Sequence, residues 1–578
     1  MEKISTTEVI EWAKDFLSKS EKEITSDELK EQKKYAILIQ NPNDKTLLSK
    51  LLDESSQIHS NKKLARRMKM LIEQYGIPEF FSATDAFLIH LFTLFGYWFD
   101  FIAVPIFKRR LRSDTSKVII NEKPSLLNHH LIERRKQKIG QNVNLLGEVV
   151  LGDGEANHRY LHYMEALKDP QINYISIKIS GIYAQINPLN YAQNKIDLCE
   201  LLSRIYQQSI DFPYIDENGI SSPKFVNLDM EEYKDTELTI DIFKTVLSLP
   251  QFKNYTSGIV VQAYLPDAWN FQTDLLEFAK NRVARGGSPL KMRLVKGANL
   301  QMESIISALK GWEIPILGSK IEVDANYLHI LDRALETGNA KVLHIGVASH
   351  NFFSIGYAYI LSKKNNVEDE VTFEMLEGMA NHLPRVMRNF GKQIILYTPV
   401  VKDEHFLNAV SYLVRRLDEN TGKDNFLSYS FNLKYNSEQW KFLQDQFIKA
   451  YNLKDQIDSK PLRTQNRNTE HATLNTEHET FRNEPDTNFD LKPNRLWADT
   501  IRKQWKKSVN DEPYQIPIQI GGKELFSNKK YRYIDRSQKE EVCFCEASLS
   551  DIDQVKEFIS IAEADTSNWR KTTSDEKK

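Results

Sequence analysis

The sequence is short of cysteine, of net charge, and of motifs for metals or covalent nucleophiles. Its 578 residues hold three cysteines, Cys199, Cys543 and Cys545. So few argue for a reducing compartment and exclude a disulfide framework. Cys543 and Cys545 form a lone CxC with no second pair to complete a metal site. No HExxH and no tight cluster of acids occurs, so no metal centre is expected. The formal net charge of -2 supplies no basic field for nucleic acid. No GxSxG is present, and no cysteine lies near a predicted strand end, which argues against acyl transfer by a covalent nucleophile. The opening, MEKISTTEVIEWAKDF, lacks the apolar run of a signal peptide.

What is present reads as globular. Hydrophobic residues are 41% and charged residues 27%, ordinary values for a folded chain. The length predicts about two to four domains. Ser5 and Glu8 can form a capping box, with Ile4 and Val9 as its hydrophobic staple, so a helix starts almost at once. Residues 1–140 read as an all-helical N-terminal arm. Within it AFLIHLFTLFGYWFDFIAVPIF, 86–107, is long enough to span a bilayer and is followed by KRRLR. His90, Asp100 and Pro105 interrupt it, so a buried helical arm is expected, with membrane contact the alternative.

From about residue 170 the pattern alternates between strands and helices. The strand candidates are 174–180, 225–230, 258–265, 291–297, 314–320, 341–349, 371–376 and 393–399. Eight buried strands, each followed by a helix, predict a (βα)8 barrel, here placed at 141–453. An open doubly wound sheet is the alternative, but no GxGxxG follows the first strand. In a barrel, residues at the C-terminal ends of strands face the active site. Lys178, Asp229, Gln262, Arg293, Lys296, Gly297, Ala298, Lys320, His350, Asn351 and Tyr397 fall in or just after the candidate strands. A charge in a buried strand is costly unless it is paired or binds something. One such residue would read as a core ion pair; one on nearly every strand points to a site. The set is cationic and rich in acceptors, which suits an anionic organic cofactor and a small anionic substrate. A redox cofactor would also remove the need for a nucleophile.

The stretch SYLVRRLDENTG, 411–422, continues an apolar stripe of Phe406, Val410, Leu413, Val414 and Leu417. Tyr412, Arg415, Arg416 and Glu419 share the opposite face. They are either a solvated face with an Arg415–Glu419 pair or a fork of guanidiniums for a carboxylate. Residues 454–492 are polar and carry the near-repeat NTEHAT and NTEHET, so a mobile linker is expected. Residues 493–578 follow with short strand candidates and one helix candidate.

YISIKIS, FVNLDMEE, VVQAY, MRLVKGANL, ASHN, FEMLEGM, LYTPV and YLVRRLDEN, in that order, resemble the proline dehydrogenase domain of the bacterial bifunctional proline utilisation A family. The arm is similar to that family's N-terminal region, and 493–578 resembles the start of an aldehyde dehydrogenase domain. The resemblance implies an α/β chain: a distorted (βα)8 TIM-type barrel with a helical arm and a truncated aldehyde-dehydrogenase-like segment. It implies FAD held non-covalently and L-proline oxidised to Δ1-pyrroline-5-carboxylate by hydride transfer to the flavin. Electrons would pass to a membrane quinone, from a cytoplasmic protein or one peripheral at the inner face of the membrane. In the full-length family a second domain oxidises glutamate γ-semialdehyde with NAD. By matched motifs, Arg415 and Arg416 would clamp the substrate carboxylate, with Tyr397 and Tyr412 over the ring and Leu376 as an apolar wall. Lys178 would be the direct contact at the reacting centre, with Asp229 holding the site. Gln262, Arg293, Val295, Gly297, Ala298, Lys320, His350 and Glu419 would hold FAD. Asn299 stands where better-known members carry an aromatic, and the C-terminal segment ends before a nucleophilic cysteine or NAD site is expected. The rival readings are a flavin barrel oxidising another cyclic or N-alkyl amino acid, and a non-catalytic regulator or fragment.

Overall fold

The computed structural model describes every residue apart from 1–3, 59, 80–85, 87–88, 91, 94–99, 148–149, 403–408, 410–411, 414–424, 431–432, 470–483 and 577–578. The chain divides into two compact units, residues 1–465 with 475–490, and residues 466–474 with 491–578.

The larger unit is built on eight strands. They are β1 (Gly140–Leu145), β2 (Tyr174–Ile177), β3 (Phe225–Leu228), β4 (Gly258–Gln262), β5 (Leu290–Val295), β6 (Leu343–Ala348), β7 (Val371–Leu376) and β8 (Gln393–Val401). All pair in parallel with their sequence neighbours. The ring closes where β8 meets β1, from Ile395 opposite Gly140 to Val400 opposite Leu145. Parallel strands need crossovers, and the helices between them cover the outside, so both faces are buried. Val260, Val261, Met292, Leu294, Ile345 and Val347 are accordingly buried.

Seven of the eight predicted strands form. Residues 314–320 do not: Pro315 brings no donor, and the segment bends into the helix Lys320–Ala334, capped by Ser319. The missing strand is β1, Gly140–Leu145. Its Gln141, Asn142 and Asn144 are buried polar residues, which hide it from a reading based on apolar runs.

The arm begins with α1 (Thr6–Glu23), and the Ser5–Glu8 capping box is present. Val9, Ala13, Phe16 and Leu17 bury the face that packs on the helix Phe352–Lys364. Gly356 makes that approach possible, since a Cβ there would lie 2.5 Å from the Trp12 ring. Next come α2 (Ser26–Gln40), α3 (Pro42–Gln57) and α4 (Asn61–Tyr75). Leu47, Leu51, Leu64, Met68, Leu71 and Val104 make a separate small core. The expected burial of 86–107 holds only in part. In the helix Asp100–Thr115, Val104 is buried while Phe101, Ile102 and Ile106 are exposed. Among the described residues no helix is long and apolar enough to cross a membrane.

The polar stretch after 454 also departs from expectation. Arg463 is buried, donating to Ser307 Oγ and to the Glu313 carbonyl, both at 2.9 Å. Lys310 pairs with Asp486 at 2.8 Å, and Asn488 is buried. Composition signalled a linker, but Arg463, Asp486 and Asn488 are anchored polar side chains within the barrel unit.

The smaller unit holds a helix, Lys492–Trp505, and a three-stranded sheet of Tyr514–Ile516, Val542–Ser548 and Lys530–Asp535. A hairpin, Ile518–Ile520 with Lys523–Leu525, turns on Gly521 and Gly522, both at positive φ. The helix Ile552–Ala564 closes it, with a capping box from Asp551 and Gln554.

Candidate active site

The strand ends bring most of the predicted residues to one end of the barrel. Lys178 and Asp229 follow β2 and β3, Gln262 and Val295 end β4 and β5, and Leu376 ends β7. His350 lies two residues beyond β6, while Arg293 and Tyr397 project from within β5 and β8.

Asp229 is the centre of this cluster. Its Oδ1 accepts from Arg293 Nη2 at 2.8 Å, Asn227 Nδ2 at 2.8 Å and Ser176 Oγ at 3.0 Å. Its Oδ2 accepts from the Tyr397 hydroxyl at 3.0 Å. The Arg293 guanidinium also lies 5.1 Å from the Tyr397 ring centre. Burial first, then the Asp229 charge, pushes the Tyr397 phenol well above its ordinary pKa. Asp229 and Arg293 are each 7% exposed. Strand alternation explains the set: Ser176 and Lys178, Asn227 and Asp229, and Lys291 and Arg293 are i,i+2 pairs and so face one way.

Lys178 is not joined to Asp229. It pairs with Glu231 at 2.9 Å, and the Glu231 carbonyl accepts from Gln262 Nε2 at 3.3 Å. Gln262 is buried, and its Oε1 has no hydrogen-bond partner. Lys296 and Lys320 share Asp324, at 2.6 Å and 2.5 Å, so three charges sum to one positive. Burial alone would raise the Asp324 carboxyl, but the two ammoniums hold it below its usual range. Gly297 has φ +119, and a Cβ there would meet the Tyr264 ring at 2.4 Å. Ala298 beside it is exposed.

His350 Nε2 accepts from the Leu376 N–H at 3.4 Å, which ties the β6 loop to the end of β7. Leu376 and Tyr412 pack on a cluster of Val118, Ile119, Met379, Val401 and Ala409. The next residue, Glu377, is buried between Arg134 and His130 of the helix Pro124–Lys136, so the arm reaches this end of the barrel. Arg415, Arg416 and Glu419 lie outside the described residues. Among the described residues no group of three metal-ligating side chains occurs.

Sequence reasoning missed Ser176, Asn227, Glu231, Lys291 and Glu374. Asn227 and Glu231 were visible in FVNLDMEE by their spacing from Asp229. Nothing in the sequence pairs Lys291 with Glu374.

The proline dehydrogenase family profile matches residues 127–429. The chain belongs to the proline dehydrogenase family. Its barrel is similar to that of proline utilization A (PutA) in two solved structures. PutA from Corynebacterium freiburgense is 37% identical, with 70% of this chain and 38% of that one covered and a TM-score of 0.59. PutA from Bdellovibrio bacteriovorus, inactivated by N-propargylglycine, is 24% identical, covers 98% of this chain and 55% of its own, and has a TM-score of 0.75; it speaks for the fold alone. A curated relative, hydroxyproline dehydrogenase of Xenopus laevis, is 27% identical over 164 residues, 28% of this chain and 34% of its own. The chain thus spans between a third and somewhat over a half of the length of these relatives. Within the family match lie all of β1 to β8 and every residue of the Asp229 cluster.

Proposed function

We propose that the chain oxidises L-proline to Δ1-pyrroline-5-carboxylate with FAD as its cofactor and a membrane quinone as the final electron acceptor. The observation that carries this is the Asp229–Arg293–Tyr397 cluster at the mouth of a proline dehydrogenase barrel. The residues fit a flavin nucleotide. Gln262 Oε1 is a buried acceptor with no partner, ready for a ring N–H, and the Lys296–Lys320–Asp324 group leaves one positive charge for a phosphate. Gln262, Arg293, Val295, Gly297, Ala298, Lys320 and His350 would hold it, with Glu419. When bound, the flavin supplies the hydride acceptor.

The chain's own residues place the substrate. Arg415 and Arg416 bind its carboxylate, Tyr397 and Tyr412 cover the ring, and Leu376 is the apolar wall. Lys178 meets the reacting end, and Asp229 holds Arg293 and Tyr397 in place. The amine proton leaves to solvent. Hydride transfer depends more on placement than on acid–base groups, which agrees with a site whose charges are mostly paired. Residues 1–140 act as the helical arm and 141–453 as the catalytic barrel. Residues 454–492 connect to 493–578, which we read as aldehyde-dehydrogenase-like. The setting is cytoplasmic, at the inner membrane face where the quinone is reached.

A second substrate, hydroxyproline, is favoured by Asn299, whose Nδ2 is buried without a hydrogen-bond partner, and by the name of the Xenopus relative. The test is direct. The purified chain should be yellow, release FAD on denaturation, and reduce a quinone analogue when proline is added. Parallel assays with hydroxyproline rank the two substrates. A chain that takes up no flavin even when refolded with excess FAD sinks the proposal.

A further inference from the structure

Beneath the Asp229 cluster lies a second buried pair. Lys291 Nζ is 2.6 Å from Glu374 Oε1, joining β5 to β7. The two residues are 6% and 3% exposed. Arg293, two positions along β5 from Lys291, approaches the other Glu374 oxygen at 3.8 Å. Four charges therefore alternate through the barrel: Lys291, Glu374, Arg293 and Asp229. They sum to zero, and Arg293 stands between two carboxylates.

The space for this pair is built. A Cβ on Gly346 of β6 would lie 2.4 Å from Glu374 Oε1 and 3.0 Å from Lys291 Cε. The Lys291 ammonium lies 5.3 Å from the Tyr174 ring centre and 5.7 Å from that of Phe225. Two apolar residues of similar volume could fill such a place, often with equal or better stability. A buried ion pair two residues below a residue of the site has a role to explain.

We propose that Lys291 and Glu374 are positioning residues for Arg293, and that together they set the charge the barrel floor presents to the flavin. The proposal rests on the reading of this barrel as a flavin site with Arg293 beside the cofactor. Glu374 faces Nη1 of the guanidinium while Asp229 holds Nη2. Without Lys291, the floor would carry a net negative charge; without Glu374, a net positive one. In a poorly screened interior, added positive charge favours the reduced, more anionic flavin, and added negative charge opposes it.

The experiment is a set of reduction potentials on purified holoenzyme: wild type, Glu374→Gln, Lys291→Met and the double variant. Glu374→Gln should raise the potential and Lys291→Met should lower it. Each shift should be at least tenfold in the reduction equilibrium, about 30 mV for a two-electron couple. The double variant, neutral again, should return to within about threefold of wild type. Disturbed packing alone would not give opposite signs that cancel. Shifts of one sign, or none with flavin bound, overturn the proposal. Gly346→Ala guards against poor folding of the charge variants. It displaces the Glu374–Lys291 pair and keeps both charges, so a shift smaller than those of the charge variants is expected and an unchanged potential counts against the idea. A wild-type chain that binds no flavin overturns the underlying reading and this proposal with it, an outcome distinct from unshifted potentials.

Discussion

Tyr397 and Asp229 meet across the barrel, the tyrosine hydroxyl donating to Oδ2 at 3.0 Å. One residue comes from β8 and the other from the end of β3, so the contact ties two strands that are not neighbours. Removing the hydroxyl in Tyr397→Phe leaves Asp229 its three other donors. The expected loss of stability is about 1.5–3 kcal/mol, the range for a hydrogen bond to a charged group. Proline should bind more weakly, because the ring that covers it is no longer fixed. Urea denaturation and steady-state kinetics check both, and unchanged values for the two would detach Tyr397 from the site.

Asp229→Asn should do far more damage. The amide that replaces the carboxylate cannot accept from Arg293, Asn227, Ser176 and Tyr397 together, and it takes away the charge that balances a buried guanidinium. Removing one partner of a buried ion pair costs about 3–5 kcal/mol. Flavin content and activity should fall together. A variant with full flavin and wild-type melting temperature would refute this account of the cluster.

How much of this was legible beforehand differs by feature. The barrel could be read because seven strands are short, mainly apolar runs buried on both faces, as parallel strands are. β1 was lost because Gln141, Asn142 and Asn144 are buried polar residues, a pattern that apolar runs cannot reveal. The positions of Asp229 and Gln262 followed from their places at strand ends, and that of Arg293 from its charge inside a buried strand. Their partners did not: Lys178 meets Glu231, and Lys291 meets Glu374, through registers that only the closed sheet defines. Arg463, Asp486 and Asn488 show the same limit, since a few anchored side chains sit in a stretch whose composition suggests a free linker.

The loop after β3 gives a pH dependence. Burial pushes the Asp235 carboxyl up to about 7, with Lys234 opposing and Glu232 adding to the rise. A carboxyl whose folded pKa exceeds its unfolded one stabilises the fold below about pH 4. That contribution is lost as pH rises through about 7. Asp235→Asn removes the titration. Relative to the variant, wild type should lose about 2–4 kcal/mol between pH 4 and pH 8. Denaturation curves at several pH values measure the difference, and parallel slopes in the two proteins would contradict it.

The final prediction concerns Arg416, in the stretch SYLVRRLDENTG. If the arginine pair binds the substrate carboxylate, Arg416→Met removes a charge-assisted contact in a water-poor site. Proline binding should weaken by about 2–4 kcal/mol. Flavin should be retained, because Gln262, Arg293 and Lys320 come from the barrel strands and their following helices. Arg416→Lys should recover only part of the loss, since an ammonium cannot present a planar fork to a carboxylate. A solvated helix face predicts otherwise: changes within about 0.5 kcal/mol and unaltered kinetics. Arg415→Met provides the control on the neighbouring position. Steady-state proline kinetics on the three variants decide between the two, and wild-type kcat/KM in both methionine variants would remove the arginine pair from the substrate site.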